Sequence, residues 1–185
     1  SLKKLDYLSR EQIQKLHDLK SDRNARRVLQ NMEKYLNTFH EGRRKIYYLN
    51  KEGREKVGCS KPRSKLTTSE HYLMRNDLYI HLGRPFHWRN EIKWIFGEGT
   101  KQEINVIPDA VFERNRKIHI VEIDHTQKMK KNRKKVEKYR QLIQYNAFKG
   151  MPRLIWVTTT EYRRKAIREL CEGLDVKVYL YHEIK

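Results

Sequence analysis

Apolar residues recur every three or four positions in two early stretches. In "SREQIQKLHDL" Ile13, Leu16 and Leu19 form one stripe, and Ser9 stands three residues before Gln12, the spacing of a capping box. In "SDRNARRVLQNMEKYLN" Ala25, Val28, Leu29, Met32 and Leu36 repeat at helical spacing behind a Ser21 or Asp22 cap. A turn of two or three residues separates these helices. "EGRRKIYYLNKEGREKVG" then reads as a β-hairpin with a turn ending at Gly53 and a basic second arm. Gly, Pro, Ser and Thr cluster without periodicity in "VGCSKPRSKLTT", residues 57–68, which reads as a linker.

Beyond it the periods change. "TTSEHYLMRNDLYIHLG" is a helix capped by Thr68 or Ser69 and apolar over much of its surface. Four strands are expected in "RNEIKWIF", "NVIPDAVFE", "KIHIVEI" and "RLIWVTTT". A long helix, "MKKNRKKVEKYRQLIQYNAF", lies between the third and fourth. That helix is long enough for a crossover, so those two strands should be parallel. A further helix, "EYRRKAIRELCEG", leads to a last strand, "DVKVYLY". The order predicts an α/β (α+β) protein of two domains, residues 1–60 and 67–185.

Charge gives these elements a partner. The chain holds 42 Lys and Arg against 23 Asp and Glu, a formal charge of +19, which concentrates polyanions. Double-stranded DNA is the partner expected. An RNA-binding or ribosome-associated protein is the rival that rests on charge alone. The face of the second helix opposite its apolar stripe shows Arg23, Asn24, Arg26, Arg27, Gln30, Asn31 and Lys34. Helix, short turn, basic-faced helix and basic hairpin is the layout of a winged helix-turn-helix. Arg, Asn and Gln would meet base edges. Arg43, Arg44, Lys45 and Arg54 of the wing would hold phosphates. Lys130 and Lys134, in the basic run from Lys128 to Arg140, would contact backbone. Trp88, Trp94 and Trp156 are expected in the core.

No apolar run reaches the length of a membrane span. Cys59 and Cys171 lack partner spacing, so two reduced thiols in a cytoplasmic protein are expected. The sequence leaves the oligomeric state open, a homodimer included.

The stretch "VIPDAVFERNRKIHIVEIDHTQ", residues 106–127, sets three carboxylates among two apolar runs. Glu122 and Asp124 stand two apart in a strand and so share a face. Asp109 lies on the neighbouring strand, and Glu91 opens the first. Such oxygen groups suit Mg²⁺ or Mn²⁺, near which a phosphodiester could be cleaved. The alternative is a salt-bridged patch against Lys128, Lys130, Lys134 or Arg133.

Residues 67–185 resemble the PD-(D/E)xK nuclease superfamily, with Pro108-Asp109 as one half-motif and Glu122-Ile123-Asp124 where that superfamily has Glu-x-Lys. Taken whole, the winged helix, "HYLMRNDLYIHL", "IPDAVFE" and "VEIDHTQ" resemble the replication-relaxation family of plasmids, phages and conjugative elements. The resemblance implies a restriction-endonuclease-like α-β-β-β-α-β domain, DNA binding in replication of a mobile element beside other replication proteins, and Asp109 and Glu122 as metal ligands. Asp124 departs from the superfamily lysine. Either Lys128 reaches in from the following helix as the replacement lysine, or Asp124 is a third ligand, with Glu91 as a fourth, and the ion alone activates the water. The third outcome is a DNA-binding platform that has lost cleavage. A nickase or endonuclease and a non-catalytic accessory factor or transcription regulator on the same fold both follow from this pattern.

Overall fold

A computed structural model describes residues 1–185, and the chain divides into two compact units, Ser1–Ile80 and His81–Lys185. The first opens with α1 (Leu2–Leu5) and β1 (Leu8–Ser9), followed by α2 (Arg10–Leu16) and α3 (Asp22–Asn31). Ser9 and Gln12 close the expected capping box on α2, and Ser21 caps α3 through the amide of Asn24. These side chains satisfy amides that the first helical turn leaves without partners. A 3₁₀ turn at Glu33–Tyr35 ends the helical run, so Leu36 enters a strand and not the helix.

The hairpin differs from expectation. Its strands are β2 (Leu36–Glu41) and β3 (Arg44–Leu49), joined at Gly42 and Arg43, with Gly42 at φ 58°. Residues expected as its second arm form α4 (Lys51–Val57). Gly53 lies inside that helix, capped by Asn50. A Cβ there would stand 2.1 Å from the carbonyl oxygen of Tyr35, so this glycine serves close packing, not a turn. Strand β1 pairs with β3, giving the order β1-β3-β2.

The helix α5 (Glu70–His81) was expected to open the second domain, yet it is bound into the first unit. Fully buried Arg75 donates to Asp6 at 2.9 Å, and Asn76 donates to the carbonyls of Leu5 and Tyr7 at 3.0 and 2.6 Å. Gln12 donates to Leu73 O at 2.8 Å. A buried cation and amide need such partners, and here the N-terminal segment supplies them. Tyr7, Phe39, Ile46, Tyr48 and Leu73 form the adjoining apolar cluster.

The second unit is built on a five-stranded sheet of order β10-β9-β8-β7-β4. Its strands are β4 (Arg89–Asn90), β7 (Ala110–Arg114), β8 (Lys117–Asp124), β9 (Arg153–Thr158) and β10 (Val176–Leu180). Two expected strands are each split. Glu91, at φ 52°, ends β4, and the remainder becomes β5 (Trp94–Phe96). Pro108, which has no N–H to give a ladder, separates β6 (Ile104–Val106) from β7. Strands β5 and β6 pair with each other as a small sheet. Strands β4, β7 and β8 run antiparallel, whereas β8, β9 and β10 are parallel. The crossovers are α6 (Met129–Gln144) and α7 (Glu161–Leu170), and α8 (Tyr181–Ile184) ends the chain.

One face of this sheet meets α6 and α7 through Ile120, Leu154, Trp156, Val136, Tyr139 and Ile167. Trp88 and Trp156 are buried and Trp94 is partly so. Both cysteines are free, and burial pushes the Cys171 thiol up to about 12.

Candidate functional site

Strand β8 presents Ile118, Ile120, Glu122 and Asp124 toward α6, since alternate residues share a face. Glu122 is 1% exposed. One of its carboxylate oxygens accepts from the Tyr139 hydroxyl and the other from the Lys135 ammonium, both on α6. Asp109 sits at the mouth of β7. Its amide donates to Val121 O at 3.1 Å, and its carboxylate accepts from the amide of Ile123 at 2.7 Å. These bonds straddle Glu122 and hold the two acids side by side. Burial pushes the Glu122 carboxyl up to about 8, the Asp109 charge adds to the rise, and Lys135 and Tyr139 oppose it. Burial and Glu122 together raise the Tyr139 phenol well above its ordinary value.

Asp124 shares that face but not that site. Arg163 of α7 forks onto it, with Nε at 2.7 Å from one oxygen and Nη2 on the other. Asn132 Nδ2 and Thr158 Oγ1 each donate to it at 2.8 Å. Four donors fill the four lone-pair positions of a carboxylate, leaving none to ligate a cation. Burial works to raise this carboxyl, but the Arg163 fork and the Asn132 and Thr158 bonds override it and hold it below the usual range. Asp124 is therefore one half of a buried ion pair, which corrects its expected place as third ligand.

The expected four-acid cluster is a pair. No group of three or more His, Cys, Asp or Glu side chains gathers where a metal ion could be held. Glu91 touches the pair through its backbone, its amide donating to Asp109 O at 3.2 Å. Lys128 stands exposed at the N-terminus of α6, and the lysine that reaches the acids is Lys135, seven residues further along. Two helical turns put both lysines on one side of α6, but only the second lies over the sheet.

The cationic candidates fall in two places. Arg23, Arg26, Arg27 and Gln30 are exposed on α3, and Asn24 is half-buried, accepting from Arg27 at 3.0 Å. Arg26 and Arg10 both pair with Asp22, at 2.9 and 2.5 Å. A groove of about 540 Å³ between α3 and the hairpin is lined by Arg10, Arg26, Gln30, Thr38, Lys45 and Tyr47. Lys34 and Arg43 are exposed, as are Lys130 and Lys134 of α6. Arg44 differs. Its guanidinium is taken by Glu70, so it is not a free phosphate contact. Arg54 belongs to α4 and not to the hairpin.

Residues 1–157 match the replication-relaxation family. The chain belongs to that family. The match takes in Asp109, Glu122, Lys135 and Tyr139 and ends before Arg163. A search of curated proteins gives no match. Among solved structures, protein VC1899 from Vibrio cholerae is similar at 14% identity with a TM-score of 0.45, over 88% of this chain and 40% of that one. The match thus spans less than half the length of that protein. No helix is long and apolar enough to cross a membrane.

Sequence reasoning missed Lys135, Asn132 and Arg163. A faint signal for the first two exists in this family member: Asn132, Val136, Tyr139 and Leu142 are the buried stripe of α6, and Lys135 flanks it. Arg163 comes from a helix 39 residues beyond its partner and leaves no local trace.

Proposed function

We propose that this protein binds duplex DNA in the replication of a mobile element, with the first unit as a winged helix-turn-helix. The observation that carries the reading is the chain order β1-α2-α3-β2-β3 with sheet order β1-β3-β2, joined to a row of exposed Arg23, Arg26, Arg27 and Gln30 on α3. A helix packed by its apolar face on α2 turns this row outward. Arg and Gln there match the acceptor and donor edges of the major groove. Lys45 and Arg43 on the hairpin would flank the backbone.

A second reading adds phosphodiester cleavage, and the Asp109–Glu122 pair favours it. The antiparallel run of β4, β7 and β8, followed by α6 and the parallel β9, supports a likeness to the PD-(D/E)xK core. Two adjacent carboxylates, one of them forced toward its proton by burial and by its neighbour's charge, form a site that a divalent cation would relieve. Mg²⁺ and Mn²⁺ are held by one or two carboxylates together with waters and a substrate phosphate, so the donor set fits. Such an ion would supply Lewis-acid polarisation of the phosphodiester. Asp109 and Glu122 would hold it, Tyr139 would fix the Glu122 rotamer, and Lys135 would carry positive charge beside the scissile phosphate in place of the superfamily lysine.

Supercoiled plasmid separates the two readings. Duplex binding by the metal-free protein, lost in Arg26→Ala/Arg27→Ala, is the outcome expected from the winged helix. Nicking with Mn²⁺ or Mg²⁺ that Asp109→Ala and Glu122→Ala abolish is expected from the second unit. Binding without nicking in either metal leaves the accessory factor, and absence of duplex binding overturns the whole reading.

A further inference from the structure

The second unit carries a groove on the sheet face opposite α6 and α7. It is about 350 Å³ and lies across β7, β8, β9 and β10, toward the ends of those strands away from Asp109 and Glu122. Its walls hold four cations, Arg114, Lys117, Arg153 and Lys177. Strand alternation explains why they meet. Arg114, Lys117, Arg153 and Lys177 stand on four successive strands, each turned away from the helices that cover the other face. One acid answers them. Asp175 accepts from Arg153 Nε at 2.9 Å and from Lys117, which leaves a net excess of positive charge.

Of the rings interleaved with these cations, Phe112 and His119 are buried and Tyr179 is half-exposed, so Tyr179 is the ring a base can reach. His119 stacks on Phe112 at 4.5 Å between centroids, and Phe112 stacks in turn on Trp88 at 5.6 Å. Arg114 lies over the Phe112 ring and Lys177 over the Tyr179 ring, at 5.6 and 4.7 Å. Arg114 is also anchored on Leu82 O at 2.6 Å. The cations are therefore held in place by their neighbours, and binding an anion there costs little ordering of long side chains. His119 Nδ1 meets the carbonyl of Lys117 at 3.0 Å, so the ring is a donor at that nitrogen.

We infer that this groove binds an unpaired nucleic-acid strand, a few nucleotides long, through its phosphates and at least one base face. Phosphate is the anion that a mixed set of Arg and Lys on four strands would track. Alternating cations and aromatic rings are the combination that holds single strands, because every base offers a face for stacking whatever its sequence. A duplex hides those faces in its own stack. The groove lies wholly within the second unit and shares no residue with α3 or with the acid pair. It is independent of both proposed sites, and a protein acting at a replication origin would meet such a strand where the duplex is opened.

The test uses the full chain and a labelled octathymidylate, followed by fluorescence anisotropy in metal-free buffer. Lys177→Glu is expected to weaken binding at least fivefold and to lower its salt dependence. Lys165→Glu, the same charge change on exposed α7, should stay within about twofold. Tyr179→Leu keeps every charge and should still cost roughly five- to a hundredfold, since it removes a stacking ring. Thermal unfolding of each variant confirms that it is folded. Photo-cross-linking of a 4-thiothymidine octamer to the wild-type chain is expected to mark peptides containing residues 112–119 or 177–179. Equal losses in Lys177→Glu and Lys165→Glu, an unaffected Tyr179→Leu, or cross-links confined to the first unit would overturn the inference. Displacement of the octamer by thymidine monophosphate at the same nucleotide concentration would overturn the strand as the ligand. Duplex binding that persists through all of this leaves the winged-helix reading untouched.

Discussion

Lys135 extends its ammonium to Glu122 across the strand–helix crossover that joins β8 to α6, and it is the one cation in contact with that buried carboxylate. Glu122 is almost wholly buried, whereas about a quarter of the lysine side chain remains exposed. The pair is thus wet at one end and dry at the other. Lys135→Met removes the charge while keeping the length of the stem. At pH 6 Glu122 already holds its proton, so the loss should be small. At pH 9 the wild-type carboxylate is ionised and paired, whereas in the variant it takes up a proton, so the loss should exceed that at pH 6 by about 1 kcal/mol. Urea unfolding at both pH values decides it, and equal losses would show that Lys135 acts only by packing.

Glu122 should also set the pH dependence of stability in metal-free buffer. Its ordinary value is 4.5 and its folded value about 8, so between these the folded state binds more protons than the unfolded. The contribution to stability is therefore complete below about 4.5 and lost as pH rises through about 8, with a span on the order of 4–5 kcal/mol. Glu122→Gln keeps an acceptor for Tyr139 and abolishes the titration. Its stability is expected to stay level from pH 5 to 9 where that of the wild type declines. A wild-type curve with no decline over that range would refute the assignment.

A divalent cation should reverse part of that decline. An ion that binds the folded pair and not the unfolded chain raises stability by mass action. At pH 8.5, millimolar Mn²⁺ is expected to raise the midpoint of thermal unfolding in the wild type. Asp109→Asn and Glu122→Gln should show no such shift. The readout needs no catalysis, so it separates metal binding from nicking.

Asp124 should behave as structure and not as chemistry. Its carboxyl is held below the ordinary value by Arg163, Asn132 and Thr158 against the effect of burial. That stability is present above the unfolded pKa and is lost as pH falls through the folded one. Arg163→Met should cost about 3–5 kcal/mol near neutral pH, because it leaves the fully buried Asp124 uncompensated, and Asp124→Asn should cost less, since Arg163 is part-exposed and keeps its bond to Gln127 O. The double variant should cost clearly less than the sum. Neither should change the Mn²⁺ shift. If Asp124→Asn instead keeps full stability and loses that shift, the side chain is a ligand after all.

Local signals carried well from sequence to structure, and tertiary ones did not. Ser9 with Gln12 and Ser21 with Asn24 are bonds between near neighbours, so spacing alone reveals them. The crossover through α6 was legible because a helix of that length forces β8 and β9 parallel. By contrast, one lysine in a run of eight cations turns inward, and the run marks Lys135 over Lys128 only by its place beside the buried stripe of Asn132, Val136 and Tyr139. The Glu122–Asp124 spacing placed both acids on one face. It could not show that Arg163 would claim one of them. The Gly53 turn failed for a similar reason, since the carbonyl of Tyr35 that requires a glycine comes from another segment. Helix α5 is apolar on most sides, and its assignment was decided by Arg75 finding Asp6.

The same contrast between free and engaged arginines separates readers from braces in the first unit. Arg27 is exposed on α3 and bonded only to Asn24 of its own helix at 3.0 Å, so DNA can take it at little cost. Arg44 is committed to Glu70, which is largely shielded from solvent. Arg27→Ala is therefore expected to weaken duplex binding and to reduce the slope of log affinity against log salt by about 1 if it meets a phosphate. A base contact would instead cost about 1–3 kcal/mol at one position of the site. Arg44→Ala should leave affinity and slope within error and lower thermal stability, by no more than about 1 kcal/mol for so partly screened a pair. Anisotropy titrations at three salt concentrations, with unfolding curves on the same samples, measure both effects. Loss of DNA affinity in Arg44→Ala without loss of stability would mean that Glu70 releases its arginine to the backbone, and the hairpin would then regain the phosphate contact its sequence suggests.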